Sequence, residues 1–160
     1  MREIVRWNSS YSVKIKLIDE QHIELIRLTN KLFNSCMAGQ KKSLKAFLET
    51  IHEVVEYASY HFGTEEKIME RINYPHYTEH KAEHVSFAKE VFIRVEDYRS
   101  GKITAPLSLV YYLRDWVLHH IAVNDKKLGD YLLKLRKSGE LQKMTLKVKN
   151  DEALNRVVIK

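Results

Sequence analysis

Four segments of the chain repeat apolar residues at alternating steps of four and three, the spacing of one buried face of a long helix. Only five glycines and two prolines occur among 160 residues, so few positions interrupt such helices. We therefore expect an all-α protein, an up-down-up-down four-helix bundle whose four stripes face one another. The stripes are Ile18, His22, Leu25, Thr29, Leu32 and Cys36; Phe47, Ile51, Val54, Ala58, His61, Glu65 and Ile68; Tyr77, His80, His84, Phe87, Val91, Val95 and Tyr98; and Leu109, Leu113, Trp116, His120, Asp125, Leu128, Leu132 and Leu135.

Local signals predict where these helices begin and end. Asp19 is an N-cap candidate for the first helix, and Gly39 is suited to its end. The other predicted boundaries are a start near Ser43, a break at Asn73, Tyr74 and Pro75, a start near Tyr77, an end at Ser100 and Gly101, and Pro106 in the first turn of the fourth helix.

Two segments are expected outside the bundle helices. Residues 1–17 predict an extended arm, with Trp7, Tyr11, Val13 and Ile15 at alternate positions. We assign residues 1–135 to the bundle domain and 136–160 to a basic C-terminal extension. The alternation of Met144, Leu146 and Val148, with the short run Val157–Ile159, indicates a small hairpin or an extended tail.

The net charge of +6 belongs to the end of the chain. Residues 126–160 hold ten Lys and Arg against four Asp and Glu, whereas residues 1–125 are neutral. Nucleic-acid binding is not expected, because the basic segment offers Tyr131 and little else for stacking on bases. A protein partner that binds the basic tail is left open.

The chain shows no sign of export or of a membrane. Met1–Trp7 is charged and lacks an apolar run, so we expect no signal peptide. No stretch approaches about 18 apolar residues, so we expect no membrane span. The single cysteine, Cys36, excludes an intrachain disulfide framework. A cytoplasmic location follows as the expectation.

Histidines and carboxylates lie on the buried stripes rather than beside them. His61 and Glu65 are one helical turn apart, as are His80 and His84. Two buried carboxylates without partners would be strongly unfavourable, and divalent metal ions would supply the missing positive charge. His52, His76 and His119 fall off the stripes and are interpreted as surface or outer residues. The candidate ligands are His22, His61, Glu65, His80, His84, His120 and Asp125.

Ligand arithmetic extends this prediction. If Glu65, Asp125 and a solvent-derived oxygen each bridge two ions, five imidazoles must divide as three and two. One ion is then six-coordinate, and the other keeps one open position. The ligand types suit iron, zinc, copper or nickel, and the residues alone do not choose among them.

The fourth stripe slips by one residue at this point. The step from His120 to Asp125 is five, where four was due, and Asn124 occupies the regular position. A regular helix turns about 100° per residue, so His120 and Asp125 would diverge. We predict a wide, π-type turn between His120 and Leu128, with Asn124 outside the ligand set.

The combined pattern resembles the hemerythrin family, and most closely its bacterial members, the bacteriohemerythrins. The resemblance covers about residues 7 to 132 in the right order. The matching residues are Trp7, Ile18-Asp19-Glu20-Gln21-His22, His61-Phe62 with Glu65-Glu66, Tyr74-Pro75, His80-Lys81 with His84, and Trp116 with His120-Ile121 and Asp125.

The resemblance implies reversible O2 binding at a non-haem di-iron centre with a bridging oxo or hydroxo group. By position, His80, His84 and His120 would bind the six-coordinate iron, and His22 and His61 the five-coordinate iron, where O2 docks. Glu65 and Asp125 would bridge the two. The resemblance also implies an O2 pocket walled by Trp116 and Val117, with Leu25 and Ile26 opposite them.

Three functions remain open at this point. The first is an O2 carrier, store or deliverer, which is not an enzyme. The second is a di-iron oxidase or peroxidase, but carboxylate-rich Glu-x-x-His ligands are absent from these stripes, which favours binding over O2 activation. The third is an O2 or redox sensor acting through a partner.

Overall fold

Long helices make up most of the computed structural model, which describes residues 2–37, 40–102 and 106–147. A wide turn of π-helix, Ile121–Asp125, joins α4 to α5, so these two helices form one fourth rod. The helices are α1 Lys16–Met37, α2 Gln40–Arg71, α3 Tyr77–Arg99, α4 Leu107–His120, α5 Lys126–Lys137 and α6 Glu140–Lys147.

The four rods pack as a bundle. α1 packs against α2 and α4, and α3 packs against the same two helices, so each rod has two neighbours. The described ranges contain helices and connecting turns but no strand. The predicted all-α four-helix bundle is confirmed.

The predicted stripes form the interior of this bundle. Every stripe residue is buried except Cys36, Tyr77, Val95, Tyr98 and Trp116, which are half-buried. The burial follows from the four-and-three spacing, which keeps one face of each helix toward its neighbours.

The core consists of two apolar clusters, and the histidines and carboxylates of the stripes lie between them. Along α1, His22 lies between Ile18 of one cluster and Leu25 of the other. Along the fourth rod, Asp125 lies in the same way between Ile121 and Leu128. The ligand-type residues therefore form a polar layer enclosed by apolar packing on both sides.

The N-terminal arm packs against the fourth rod. It contains one short turn, Ser9–Tyr11, and its Val13 and Ile15 are buried. A Cβ atom at Gly129 would lie 2.6 Å from the Val13 carbonyl oxygen. Glycine at that position therefore permits the arm to lie against α5 just beyond Asp125.

Several predicted helix boundaries were wrong. α1 begins at Lys16, so Asp19 lies in its first turn and is not an N-cap. The Asp19 carboxylate instead accepts hydrogen bonds from the Val13 N–H and the Ser12 hydroxyl, at 2.8 and 2.7 Å. This carboxylate fixes the arm to α1. An Asp near a helix start is consistent with this role and with N-capping, so the sequence alone does not choose between them. α2 begins earlier than Ser43, and Pro106 directly precedes α4.

The expected hairpin or extended tail was also wrong within the described residues, because Glu140–Lys147 is helical. Leu141 is buried in the second apolar cluster and Met144 packs against it, so their helical spacing of three outweighs the local alternation. Gly39, Val148 and Val157–Ile159 lie outside the described residues.

The proposed domain boundary after residue 135 stays a prediction. None of the described helices combines the length and apolar character that crossing a membrane requires.

Candidate metal centre

Seven ligand-type side chains from all four rods meet in the polar layer. Each sits on a predicted stripe, and each is at most 4% exposed. α1 contributes His22; α2 contributes His61 and Glu65; α3 contributes His80 and His84; α4 contributes His120; and the wide turn contributes Asp125.

The wide turn brings His120 and Asp125 together. The N–H of Lys126 donates to the carbonyl of Ile121, five residues earlier, which is the bond pattern of a π turn. His120 Nε2 then lies 3.0 Å from Asp125 Oδ1. The side-chain nitrogen of Asn124 lies 3.3 Å from His120 Nδ1. The predicted turn is confirmed, and the exclusion of Asn124 from the ligand set stays a prediction.

The ligand atoms form two groups that share one carboxylate. In each group the atoms lie within 4.8 Å of one another, close enough to hold one ion per group. Glu65 belongs to both groups. The first group adds His80, His84 and His120, and the second adds His22, His61 and Asp125.

Asp125 also reaches both groups, one oxygen to each. Its Oδ1 lies 3.0 Å from His120 Nε2 and 3.3 Å from His80 Nε2. Its Oδ2 lies 3.0 Å from His22 Nε2 and 3.9 Å from His61 Nε2. A carboxylate placed in this way has the geometry of a bridge between two ions.

The buried polar atoms of this layer fit metal ions better than one another. Within the part of the chain that the structure describes, no well-directed hydrogen bond reaches the carboxylate oxygens of Glu65 and Asp125 or the Nε2 atoms of His22, His61 and His80. His84 Nε2 and His120 Nε2 face each other at 3.1 Å. Oxygens of Asp125 lie 3.0–3.3 Å from imidazole nitrogens, but buried polar atoms without well-directed hydrogen bonds are still costly. Divalent cations held between these atoms would satisfy them together.

The electrostatics of the layer keep both carboxylates ionised. Burial and the neighbouring Asp125 raise the pKa of Glu65, but the histidines outweigh both effects and hold that pKa well below its ordinary value. Burial likewise raises the pKa of Asp125, and His120 and the other histidines lower it well below the usual range. Two negative charges therefore persist in a dry layer, as a cation site requires.

The same contacts act on two of the histidines in the opposite sense. Burial lowers the pKa of His80, but Asp125 and Glu65 raise it further, to about 9. Burial also lowers the pKa of His120, and the same two carboxylates raise it to about 10. In the metal-free protein these rings hold protons at neutral pH, so a metal must displace them.

Three of the ligand-type histidines have polar partners on Nδ1, on the side away from the layer. Gln21 Oε1 lies 3.0 Å from His61 Nδ1, and Gln21 Nε2 donates to Thr64 Oγ1. Asn124 places its side-chain nitrogen, not its oxygen, against His120 Nδ1. An oxygen partner such as that of Gln21 accepts the Nδ1 proton, which fixes the ring orientation and leaves Nε2 for a metal.

Glu66 is the third partner and the one that carries a charge. Its Oε1 lies 3.0 Å from His84 Nδ1, and its Oε2 lies 3.0 Å from Lys81 Nζ. Burial raises the pKa of Glu66, but the bonds from His84 and Lys81 outweigh it and hold that pKa below its ordinary value.

Sequence reasoning assigned no role to Gln21 or Glu66. A signal was present, since each is a polar residue directly beside a stripe ligand, at the level of the polar layer. Which histidine each one reaches depends on the neighbouring helix. Aromatic rings also orient the site: Phe62 stacks on His84 with centroids 3.9 Å apart, and Trp116 stacks on His120 at 4.4 Å.

The remaining predicted positions lie as follows. His52, His76 and His119 are exposed, as their place off the stripes indicated. Leu25, Ile26 and Val117 are buried, and Trp116 is half-buried. Their role as walls of an O2 pocket stays a prediction.

A family model for the hemerythrin HHE cation binding domain matches residues 13–132, three quarters of the chain. The chain belongs to the hemerythrin family. Family membership and the buried His, Glu and Asp residues together support a site for non-haem iron.

Curated hemerythrins and solved structures agree with this assignment. The bacteriohemerythrin of Stenotrophomonas maltophilia is 31% identical, covering 78% of this chain and 78% of its own length. That of Clostridium acetobutylicum is 29% identical, covering 78% and 98%. A crystal structure of a leucine-to-tyrosine mutant of a hemerythrin has a TM-score of 0.73 at 22% identity, covering 81% of this chain and 97% of its own, which shows the shared fold.

Proposed function

We propose that this hemerythrin-family chain binds O2 reversibly at a pair of iron ions, as a carrier, store or delivery protein. The observation that supports it most is the division of seven buried ligand residues into two groups that share Glu65 and are spanned by Asp125. The names of the related bacteriohemerythrins point the same way.

In this proposal the side chains divide the work between two metal positions. His80, His84 and His120 hold one iron, and His22 and His61 hold the other. Glu65 and Asp125 bridge the pair, together with an oxo or hydroxo group. The iron pair would supply the electrons that O2 binding requires, at the one position that protein side chains do not fill.

The protein's own contribution is to keep that position dry and narrow. Leu25, Ile26 and Val117 are buried apolar side chains, and we assign them with Trp116 to the wall of the O2 pocket. Water is excluded by this packing, which disfavours release of reduced oxygen species and favours release of O2 itself.

The decisive experiment is iron analysis with an optical spectrum, recorded without oxygen and then in air. We expect two irons per chain and a band that appears in air and disappears on deoxygenation. A single zinc ion per chain, in protein grown with adequate iron, would contradict the di-iron proposal.

The same samples separate the alternative functions. Continuous O2 consumption with a reductant would favour an oxidase or peroxidase over a carrier. Capture of a protein partner by the oxy form and not by the metal-free form would favour a sensor. A cytoplasmic location is part of the proposal and is tested by cell fractionation.

A further inference from the structure

The two metal positions differ in the hydrogen bonds that support their histidines. His61, in the two-histidine group, faces the neutral amide oxygen of Gln21 at 3.0 Å. His22, in the same group, has a buried Nδ1 with no hydrogen bond within the described residues. His84, in the three-histidine group, faces the carboxylate of Glu66 at 3.0 Å. The ligand sets are therefore supported by unequal charge.

Glu66 is held firmly in this role. Its second oxygen accepts from Lys81 Nζ at 3.0 Å, and Lys81 also donates to the Tyr77 hydroxyl at 3.1 Å. The Phe62 ring stacks on the face of the His84 ring, with 7° between the two planes. The ring is thus fixed with Nδ1 toward Glu66 and Nε2 toward the metal position.

A carboxylate that accepts the Nδ1 proton of a ligating histidine makes its Nε2 a stronger donor. A stronger donor stabilises the higher charge of a ferric ion more than that of a ferrous ion. A neutral amide has a much smaller effect. The asymmetry between Glu66 and Gln21 therefore favours oxidation of one iron over the other.

We propose that Glu66 is a positioning residue which directs the first oxidation of the iron pair to the ion held by His80, His84 and His120. This inference rests on the proposed di-iron function and deepens it. One electron leaves the pair, taken in the test by ferricyanide, and the ion at His22 and His61 stays ferrous, at the position assigned to O2.

The test compares three variants of the full chain, each loaded with iron. Glu66→Gln removes the charge at His84, and Gln21→Glu adds one at His61. Glu70→Gln is the matched control, because Glu70 is an exposed residue of α2 one turn beyond Glu66. After one-electron oxidation, paramagnetic proton NMR counts the imidazole N–H signals shifted most strongly by the ferric ion.

Wild type and Glu70→Gln should show three such signals, one from each histidine of the first group. Gln21→Glu gives each group one carboxylate partner, so the ferric ion should be shared between the groups and shifted signals from both should appear. In Glu66→Gln the equilibrium preference for oxidising the iron at His80, His84 and His120 should fall about 10- to 100-fold. At 59 mV per tenfold, this raises the first midpoint potential by about 60 to 120 mV.

A second measurement needs neither iron nor O2. With zinc as the probe, the His84 Nδ1 proton should resonate downfield in wild type and move upfield in Glu66→Gln only. An unchanged proton shift and potential in Glu66→Gln would overturn the proposal, and so would equal changes in Glu70→Gln. If wild type binds zinc in this way but never takes up an iron pair, the proposed function fails while the zinc result still judges Glu66.

Discussion

At the scale of single residues, chemistry in this chain depends on which side of a helix a histidine occupies. His119 and His120 are neighbours in the sequence, yet His119 is exposed while His120 is buried beside Asp125. His61 is fully buried, with Gln21 on one ring nitrogen and the polar layer on the other. Residue type alone therefore does not predict a ligand, and helix phase is needed beside it.

His61→Ala and His119→Ala should have opposite outcomes. His61→Ala removes an assigned ligand, so the affinity for iron at the His22 position should fall and O2 binding should disappear. The fall in affinity should exceed the about 10- to 100-fold that is typical of losing a residue hydrogen-bonded to a ligand. His119→Ala should keep both irons and O2 binding. Iron analysis and the oxy spectrum check each variant. A His119→Ala protein without iron would show that its place on the fourth rod has been misassigned.

Val117→Phe tests the assigned O2 pocket. Val117 is buried in the apolar cluster next to the polar layer, so a larger ring should fill space there and slow O2 association, with little loss of iron. Overpacking should also lower stability by about 1–3 kcal/mol. Stopped-flow mixing with O2 measures the rate. Val85→Phe is the control, because Val85 is 61% exposed on α3. Equal O2 association rates in Val117→Phe and Val85→Phe would contradict the assignment of Val117 to the pocket wall.

At the scale of helices, the spacing of the stripes was sufficient to predict the four-helix bundle and its buried polar residues. A four-and-three spacing is a local property, so the sequence alone predicts that all seven ligand-type residues lie on buried faces and that the fourth helix contains a wide turn. The cross-helix bonds of Gln21 and Glu66 could not be read in this way, because they depend on the register of two helices. Asp19 was misassigned because its carboxylate binds the preceding arm rather than the first turn of its own helix. α6 was misassigned because Leu141 packs into the second apolar cluster, a tertiary contact that local signals do not contain.

Deleting Val123 tests whether the wide turn serves only to absorb one extra residue. The deletion makes the step from His120 to Asp125 four, so a regular helix should keep both side chains on one face. We expect helical circular dichroism close to wild type and retention of paired iron binding. One alanine inserted after Val123 should instead turn Asp125 by about 100° away from His120 and abolish paired binding. Val123→Ala is the control, because it keeps the turn length. Loss of the iron pair in the deletion variant, or its retention in the insertion variant, would contradict the role given to this turn.

At the scale of the whole molecule, the polar layer separates two apolar clusters and so couples the metal to the stability of the bundle. Metal binding must displace protons from His80 and His120, whose pKa values lie at about 9 and about 10 in the metal-free protein. Both values are above the ordinary 6.5, so protonated His80 and His120 stabilise the metal-free fold.

The last prediction is the pH dependence that follows. In the metal-free protein this stabilisation is fully present below pH 6.5 and is lost as pH rises through about 9 and about 10. The depressed pKa values of Glu65 and Asp125 add stability above their ordinary values of 4.5 and 3.8, which is lost as pH falls. The metal-loaded protein replaces these protons with cations, so its melting temperature should fall less between pH 6.5 and 9.5.

The difference in melting temperature between metal-loaded and metal-free protein should therefore widen as pH rises. Calorimetry of both forms across this range measures it, with His119→Ala as a histidine control. A metal-free protein whose melting temperature rises from pH 6.5 to 9.5, or a gap that narrows, would mean that His80 and His120 are not held protonated by the two carboxylates.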